Sequence, residues 1–376
     1  MADAPVPHFQ PDGRPVDAQL ADLRVQIDSL DQQLLGLLNQ RARLAQAVGE
    51  VKKIDGSPVF RPDRETQVIE GLQQANPGPV LPESIGPIWR EIMSACRALE
   101  SKQRVAFLGP VGTFTEQAAL KYFGSSIEPV LCANFDEVFR ATEAGSADFG
   151  VVAIENSTEG VVARSLDLLL QSPLVIMGET ALLVQHNLLR SAPSLQGITA
   201  VAAHPQALAQ CHGWLSQHLP QAERHAVSSN AEGARLAAAD PTVAALASER
   251  AAALFGLHVV QRAVQDDAHN RTRFVVLTRP ERQPPSVPTG RDCISLAVSV
   301  DNRPGAVHDL LTPLKRHGVS MTRIESRPAR SGQWEYVFFI DLVGHPTQDN
   351  VASALDELRA QCSLFKVLGS YPLDAH

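Results

Sequence analysis

The feature that most constrains this 376-residue chain is a run of apolar side chains between Leu20 and Val51. Leu20, Leu23, Ile27, Leu30, Leu34, Leu37, Leu44, Val48 and Val51 recur three and four residues apart, and Arg41 fills the missing seam position. A heptad pattern kept for this long demands one long helix. At 1.5 Å per residue it runs on the order of 50 Å, more than a small domain covers alone. A partner chain is therefore expected, as a homodimer or tetramer. Gly56-Ser57-Pro58 closes the helix and Pro62 suits the first turn of a second. A third helix carries Ile85, Ile88, Ile92, Cys96 and Leu99 on one face. Residues 1–16, rich in proline and polar groups, read as a loose start to a helical domain at 17–103.

Arg41 stands where a charge is rare, although one polar seam residue can do no more than fix register. Arg24 and Lys52 lie 28 residues apart, four heptads, so they share a stripe beside that seam, and Glu100 follows Cys96 by four. Charges converging inside a helical bundle describe a pocket for a dianion. The net charge of −8 cannot attract such a ligand by the overall field, and it argues against a general nucleic-acid binder. No apolar run reaches the roughly 18 residues of a membrane span, and no signal pattern opens the chain. The five cysteines are widely spaced and odd in number, with no metal-type spacing, so no metal or disulfide is expected and the cytoplasm fits.

The stretches Leu23-Arg24, Asn39-Gln40-Arg41, Val51-Lys52 and Arg64-Glu65 resemble the all-helical class of chorismate mutase. That resemblance implies that Arg24 (from a partner subunit), Arg41 and Arg64 hold the two carboxylates of chorismate. Lys52 would donate to the ether oxygen and Glu65 would bind the ring hydroxyl. The pericyclic rearrangement to prephenate needs neither nucleophile nor cofactor, only confinement and donors aimed at the breaking C–O bond. Two positions depart from the family: Arg61 replaces a carboxylate and Glu100 an amide donor. Glu100 donates only when protonated, so mutase turnover is expected to decline as pH rises.

From 104 to 279 strand-like and helix-like segments alternate, as in a mostly parallel α/β fold. Val105 to Leu108 leads into Gly109 to Phe114, where Thr113 and Glu116 have capping-box spacing and open a helix whose N-terminus can bind an anion. Val151 to Ile154 feeds Glu155 to Gly160, and later strand ends lead into His204-Pro205-Gln206, Ser228-Ser229-Asn230 and Ser248-Glu249. Ligands of α/β proteins bind at such strand ends. His204, before a proline, reads either as a helix cap or as a proton-transfer group. Crossings between two lobes are expected near 178–189 and 259–264.

Thr272-Arg273-Phe274, behind an Ile154-Glu155-Asn156-Ser157 loop, resembles prephenate dehydratase, which implies a two-lobed, periplasmic-binding-like fold. Prephenate loses carbon dioxide and its ring hydroxyl to become phenylpyruvate, and aromatisation drives the step. Thr272 stands at the family's essential threonine and would assist the leaving hydroxyl. Glu155, Asn156 and Gln206 are expected to support it, with Thr113, Ser228 and Arg273 holding carboxylates or orienting the ring.

A proline-rich linker at 280–291 precedes a βαββαβ order at 292–376, that of a ferredoxin-like α+β domain. Asn302 to Val307 and Glu325 to Pro328 resemble the ACT domain of phenylalanine-inhibited dehydratases. Phenylalanine would then bind between paired domains as an allosteric inhibitor. Its contacts would be Gly305, Ala306 and Val307 (Val307 one methylene smaller than the usual leucine) together with Glu325, Ser326, Arg327 and Pro328. The three resemblances, in this order, match the bifunctional chorismate mutase/prephenate dehydratases of phenylalanine biosynthesis, which need no cofactor. Two alternatives are a dehydratase whose helical domain only dimerises and an amino-acid-sensing binding protein; a sensor has no use for the Thr272 hydroxyl.

Overall fold

The computed structural model describes residues 14–55, 58, 60–329 and 336–373. The start of the loose N-terminus and the Gly56-Ser57 helix stop lie outside the described residues. The chain divides into two units, Met1–Asp55 and Gly56–His376. The compact division thus falls well before residue 103, because the second and third helices belong with the remainder of the chain.

The first unit is the helix α1 (Val16–Asp55), 40 residues long. At its start Arg14 pairs with Asp22 at 2.5 Å, and the Gln19 amide donates to the Arg14 carbonyl at 2.6 Å. Its seam leucines are exposed, Leu30 at 57% and Leu34 at 56%.

The second unit opens with α2 (Pro62–Ala75) and α3 (Pro82–Ala98). The α3 face expected from periodicity is only partly the buried one: Ile85 and Cys96 are buried, Ile88 and Leu99 are exposed, and Met93, Ser94 and Arg97 are buried in addition. The reason is a second neighbour. Ser94 Oγ accepts from the Ser126 N–H at 3.1 Å and Glu91 takes the Ser125 N–H at 3.1 Å, so α3 also leans on the α/β body. Phe60 enters that body, its ring 5.1 Å from Phe123 and 5.6 Å from Phe149.

The first lobe contains β1 (Arg104–Leu108), α4 (Phe114–Phe123), β2 (Glu128–Cys132), α5 (Phe135–Glu143), β3 (Phe149–Asn156), β4 (Gly160–Val161), α6 (Ala163–Gln171) and β5 (Val175–Leu183). The second contains β6 (Asn187–Arg190), β7 (Ala200–Ala203), α7 (Pro205–Gln210), α8 (His212–His218), β8 (Glu223–Ala226), α9 (Asn230–Ala239), β9 (Val243–Ala247), α10 (Glu249–Phe255) and β10 (His258–Gln261). Its sheet has the order β10-β6-β9-β7-β8. The chain returns to the first lobe with β11 (Arg271–Thr278), a few residues later than expected.

The last part supplies β12 (Asp292–Ser299), α11 (Ala306–Arg316), β13 (Met321–Pro328), β14 (Tyr336–Val343), α12 (Asp349–Gln361) and β15 (Leu364–Pro372), the expected βαββαβ order. Its sheet does not stand apart. β15 meets β5 in parallel at Gly369 and Ile176, giving one continuous order β13-β14-β12-β15-β5-β11-β3-β1-β2. A Cβ at position 369 would overlap the Ile176 carbonyl oxygen, so only glycine allows this junction.

β11 lies between β3 and β5, antiparallel to both. Phe274 and Val276 pack on one face with Phe107, Phe123 and Met177. Val275 and Leu277 pack on the other with Ile154, Leu166, Phe339 and Tyr371. Each such large apolar side chain contributes about 1.5–3 kcal/mol on burial, enough to fix the strand and its register. The polar start of β11 is thereby held at the rim.

Candidate functional site

Register at that rim decides the chemistry. Thr272 pairs with Asn156 and Arg273 with Glu155, but Phe274 pairs with Ala153, so Ile154 is an extra residue in β3. Such a bulge resets the alternation of side chains. It sets Asn156 beside Thr272 and Glu155 beside Arg273. Asn156, 7% exposed, donates from Nδ2 to Thr272 Oγ1 at 2.8 Å and to Asn270 Oδ1 at 2.7 Å. Its Oδ1 accepts the Thr158 and Glu159 N–H groups at 3.0 Å each. Those two N–H donors fix the oxygen end of the amide, so its NH₂ end must face Thr272. Thr272 therefore accepts from Asn156 and keeps its own proton to donate.

The other face of the rim turns to the C-terminal domain. Arg273 bonds Glu179 at 2.8 Å and Asp341 at 2.6 Å, and Ser295 Oγ donates to Asp341 at 2.6 Å. Burial alone would lower the Arg273 pKa, but Tyr371, Asp341 and Glu179 outweigh it and the net shift is upward. The expected carboxylate-holding role of Arg273 meets a guanidinium already committed, on the face away from Thr272. Glu155 likewise pairs with Arg323 of β13 at 2.8 Å.

Thr113 is the N-cap of α4: its Oγ1 accepts from the Glu116 N–H at 3.2 Å and donates to the Leu108 carbonyl at 3.0 Å. The hydroxyl is occupied by capping, and the buried Glu116 carboxylate accepts the Gly112 N–H at 2.5 Å, in the manner of a capping box. Ser248 Oγ donates to the Gly112 carbonyl at 3.2 Å and ties this turn to the second lobe. Ser228 is exposed, and its neighbour Ser229 caps α9. Gln206 is exposed on α7, where its N–H donates to His204 Nδ1 at 3.3 Å, so of its two readings His204 takes the helix cap.

Two residues without a sequence signal join the lobes. Gln210 donates to Glu159 at 3.3 Å and meets His186 Nε2 at 2.9 Å, while the His186 ring lies edge-on to Phe114. Burial pushes the His186 pKa down, and Gln210 opposes it in part. Only the tertiary fold brings these positions together.

Of the expected mutase residues, Arg24 on α1 is exposed while Arg41 and Lys52 are half-buried. In the second unit Arg64 is exposed, and Glu65 and Glu100 are half-buried. Glu65 forms an ion pair with Arg97, which also donates to the Phe123 carbonyl at 2.5 Å and covers the Phe60 ring at 4.8 Å. Sequence periodicity gave no warning of Arg97. Arg61, the departure from the family, pairs with the buried Asp63 at 2.6 Å.

In the C-terminal domain Gly305, Ala306 and Val307 line a pocket of about 240 Å³ with Asn302, Tyr336 and Phe338. Gly305 has φ +83°, which turns the chain into α11. Glu325, Ser326, Arg327 and Pro328 lie on the edge strand β13 and not in this pocket, and Arg327 bonds Asp167 at 3.0 Å. Among the described residues no group of three or more His, Cys, Asp or Glu is placed to hold a metal ion, and no helix is long and apolar enough to cross a membrane.

Comparison with known proteins divides the chain into three parts. Family profiles match in order: chorismate mutase type II over residues 23–101, prephenate dehydratase over 105–282 and the ACT domain over 294–360. A bifunctional chorismate mutase/prephenate dehydratase of Neisseria gonorrhoeae is 47% identical over 360 residues, covering 95% of this chain and 98% of the relative. A solved prephenate dehydratase from Arthrobacter aurescens, in complex with L-Phe, is 34% identical with a TM-score of 0.65, over 72% of this chain and 89% of its own. A solved protein described as a novel type of quorum quenching acylase is 30% identical with the same TM-score, over 72% of this chain and 98% of its own. With matching helical, two-lobed and C-terminal parts along nearly its whole length, the chain belongs to the bifunctional chorismate mutase/prephenate dehydratases, an isomerase and a lyase of phenylalanine biosynthesis.

Proposed function

We propose that the dehydratase step is carried by Thr272, with Asn156 setting the direction of its hydroxyl. The supporting observation is the 2.8 Å bond from Asn156 Nδ2 to Thr272 Oγ1. An amide that donates to Oγ1 cannot also remove its proton, so the hydroxyl proton is available to the leaving hydroxyl of prephenate. Loss of carbon dioxide supplies the electron pair that expels this group, and the ring becomes aromatic. Acyl transfer, the chemistry named for one structural relative, needs a base acting on the nucleophile, and Asn156 is not one. Glu155 and Gln206 support this pair, and Thr113 and Ser228 meet the substrate at strand ends, where ligands of α/β proteins bind.

For the mutase step, Arg24 of a partner subunit, Arg41 and Arg64 hold the carboxylates. Lys52 and a protonated Glu100 donate to the ether oxygen, and Glu65 takes the ring hydroxyl. The exposed seam of α1 supports a homodimer or tetramer. Phenylalanine binds at Gly305 to Val307, where the 240 Å³ pocket has room for one amino acid and Gly305 opens a helix N-terminus to its carboxylate. Glu325 to Pro328 complete the site from the paired domain, and the enzyme works in the cytoplasm. The test is phenylpyruvate formation from chorismate by the purified chain with no cofactor added. Product should form, and phenylalanine should suppress the second step. No phenylpyruvate from chorismate, or a rate indifferent to phenylalanine, would overturn the corresponding half.

A further inference from the structure

The two residues that flank the Thr272–Asn156 pair in sequence, Arg273 and Glu155, are both held from the C-terminal domain, by Asp341 and Arg323. We infer that Arg323, on β13 of that domain, is a positioning residue for dehydration, acting through Glu155 on the adjacent Asn156. This rests on the reading of Thr272 and Asn156 as the dehydratase centre.

Three observations carry it. Arg323 is almost covered, its side chain 11% exposed, whereas an ornamental surface pair would leave both groups in water. The grip is also incomplete: Nε holds one Glu155 oxygen at 2.8 Å, while Nη2 is buried with no hydrogen-bond partner. An arginine fork closes on a carboxylate with two parallel bonds, so this pair has a tighter arrangement in reserve. Finally, Glu155 lies just past the Ile154 bulge, where a small rotation of the backbone decides which face Asn156 presents. A charge that pins Glu155 on the C-terminal face therefore keeps Asn156 on the Thr272 face.

The same strand makes a second ion pair, Arg327 to Asp167 on α6. It docks β13 on the first lobe without touching Glu155, and so provides the control. The experiment uses the full chain and measures dehydratase kcat and KM, with mutase turnover in the same preparation as the check on folding. Arg323→Ala should lower dehydratase kcat about tenfold with KM within about twofold, since loss of orientation acts on the reacting geometry. Arg323→Lys, which keeps the charge, should recover most of the rate. Asp167→Ala, which removes the other ion pair of β13, should stay within about threefold of wild type when no phenylalanine is added. The inference is overturned if Arg323→Ala turns over like wild type, if Asp167→Ala loses as much, or if Lys fails to rescue. Failure of the underlying reading looks different: Thr272→Ala would then keep its dehydratase activity.

Discussion

The helix α1 and the strand β11 show two ways in which a sequence commits itself. Along α1 the seam residues from Leu20 to Val51 fall on one stripe, and that stripe is exposed in the chain as it stands. A helical seam announces that it will be covered without saying by what. In β11 the hydroxyl of Thr272 and the guanidinium of Arg273 are neighbours in sequence yet serve opposite faces. A strand announces two faces, and only its partners decide what each face meets. The mutase residues on α1 therefore depend on what comes to that surface, while the Thr272–Asn156 pair is already assembled.

The contrast breaks most sharply at Thr272. Thr272→Ala should lower dehydration by about a thousandfold, the range of a lost proton donor, and leave mutase turnover intact. Loss of both activities in a steady-state assay would mean that the two sites are not separate.

On the helix side, Leu34→Asp places a charge on the seam, where covering it would cost several kcal/mol. Light scattering should detect a smaller species, and mutase turnover should fall roughly a hundredfold through loss of the partner's Arg24. Unchanged mass would remove the α1 seam from the account of assembly.

A smaller effect sharpens the mutase half. Since only protonated Glu100 donates, wild-type mutase turnover should fall with rising pH, by at most about tenfold per unit for one proton. Glu100→Gln should flatten that profile. A wild-type profile already flat into alkaline pH would rule the role out.

The least effect is expected at His186, whose folded-state pKa is depressed below 6.5 chiefly by burial. Above that unfolded value neither state binds the proton and stability is unaffected. As pH falls below it the unfolded chain takes up the proton first, so stability drops, by no more than about 1.4 kcal/mol per pH unit. Thermal unfolding between about pH 7.5 and 5.5 should show a shallower decline in His186→Gln than in wild type.

By itself the sequence determined much that rests on local period and local chemistry. The α1 seam, the Thr113 and His204 helix starts and the βαββαβ order all follow from contacts within a few residues. Thr272 was marked by the Thr272-Arg273-Phe274 resemblance, and it lies near the start of β11. The tertiary structure alone decided that the compact unit begins after Asp55, and that α3 turns Ser94 and Arg97 toward the α/β body. It also decided that Arg273 and Glu155 serve the C-terminal domain while Asn156 serves Thr272. Such choices depend on one extra residue at Ile154 and on a carboxylate 68 positions away at Asp341. Side-chain alternation is a local rule, but the partner that meets each face is supplied by distant chain, and no short pattern encodes it.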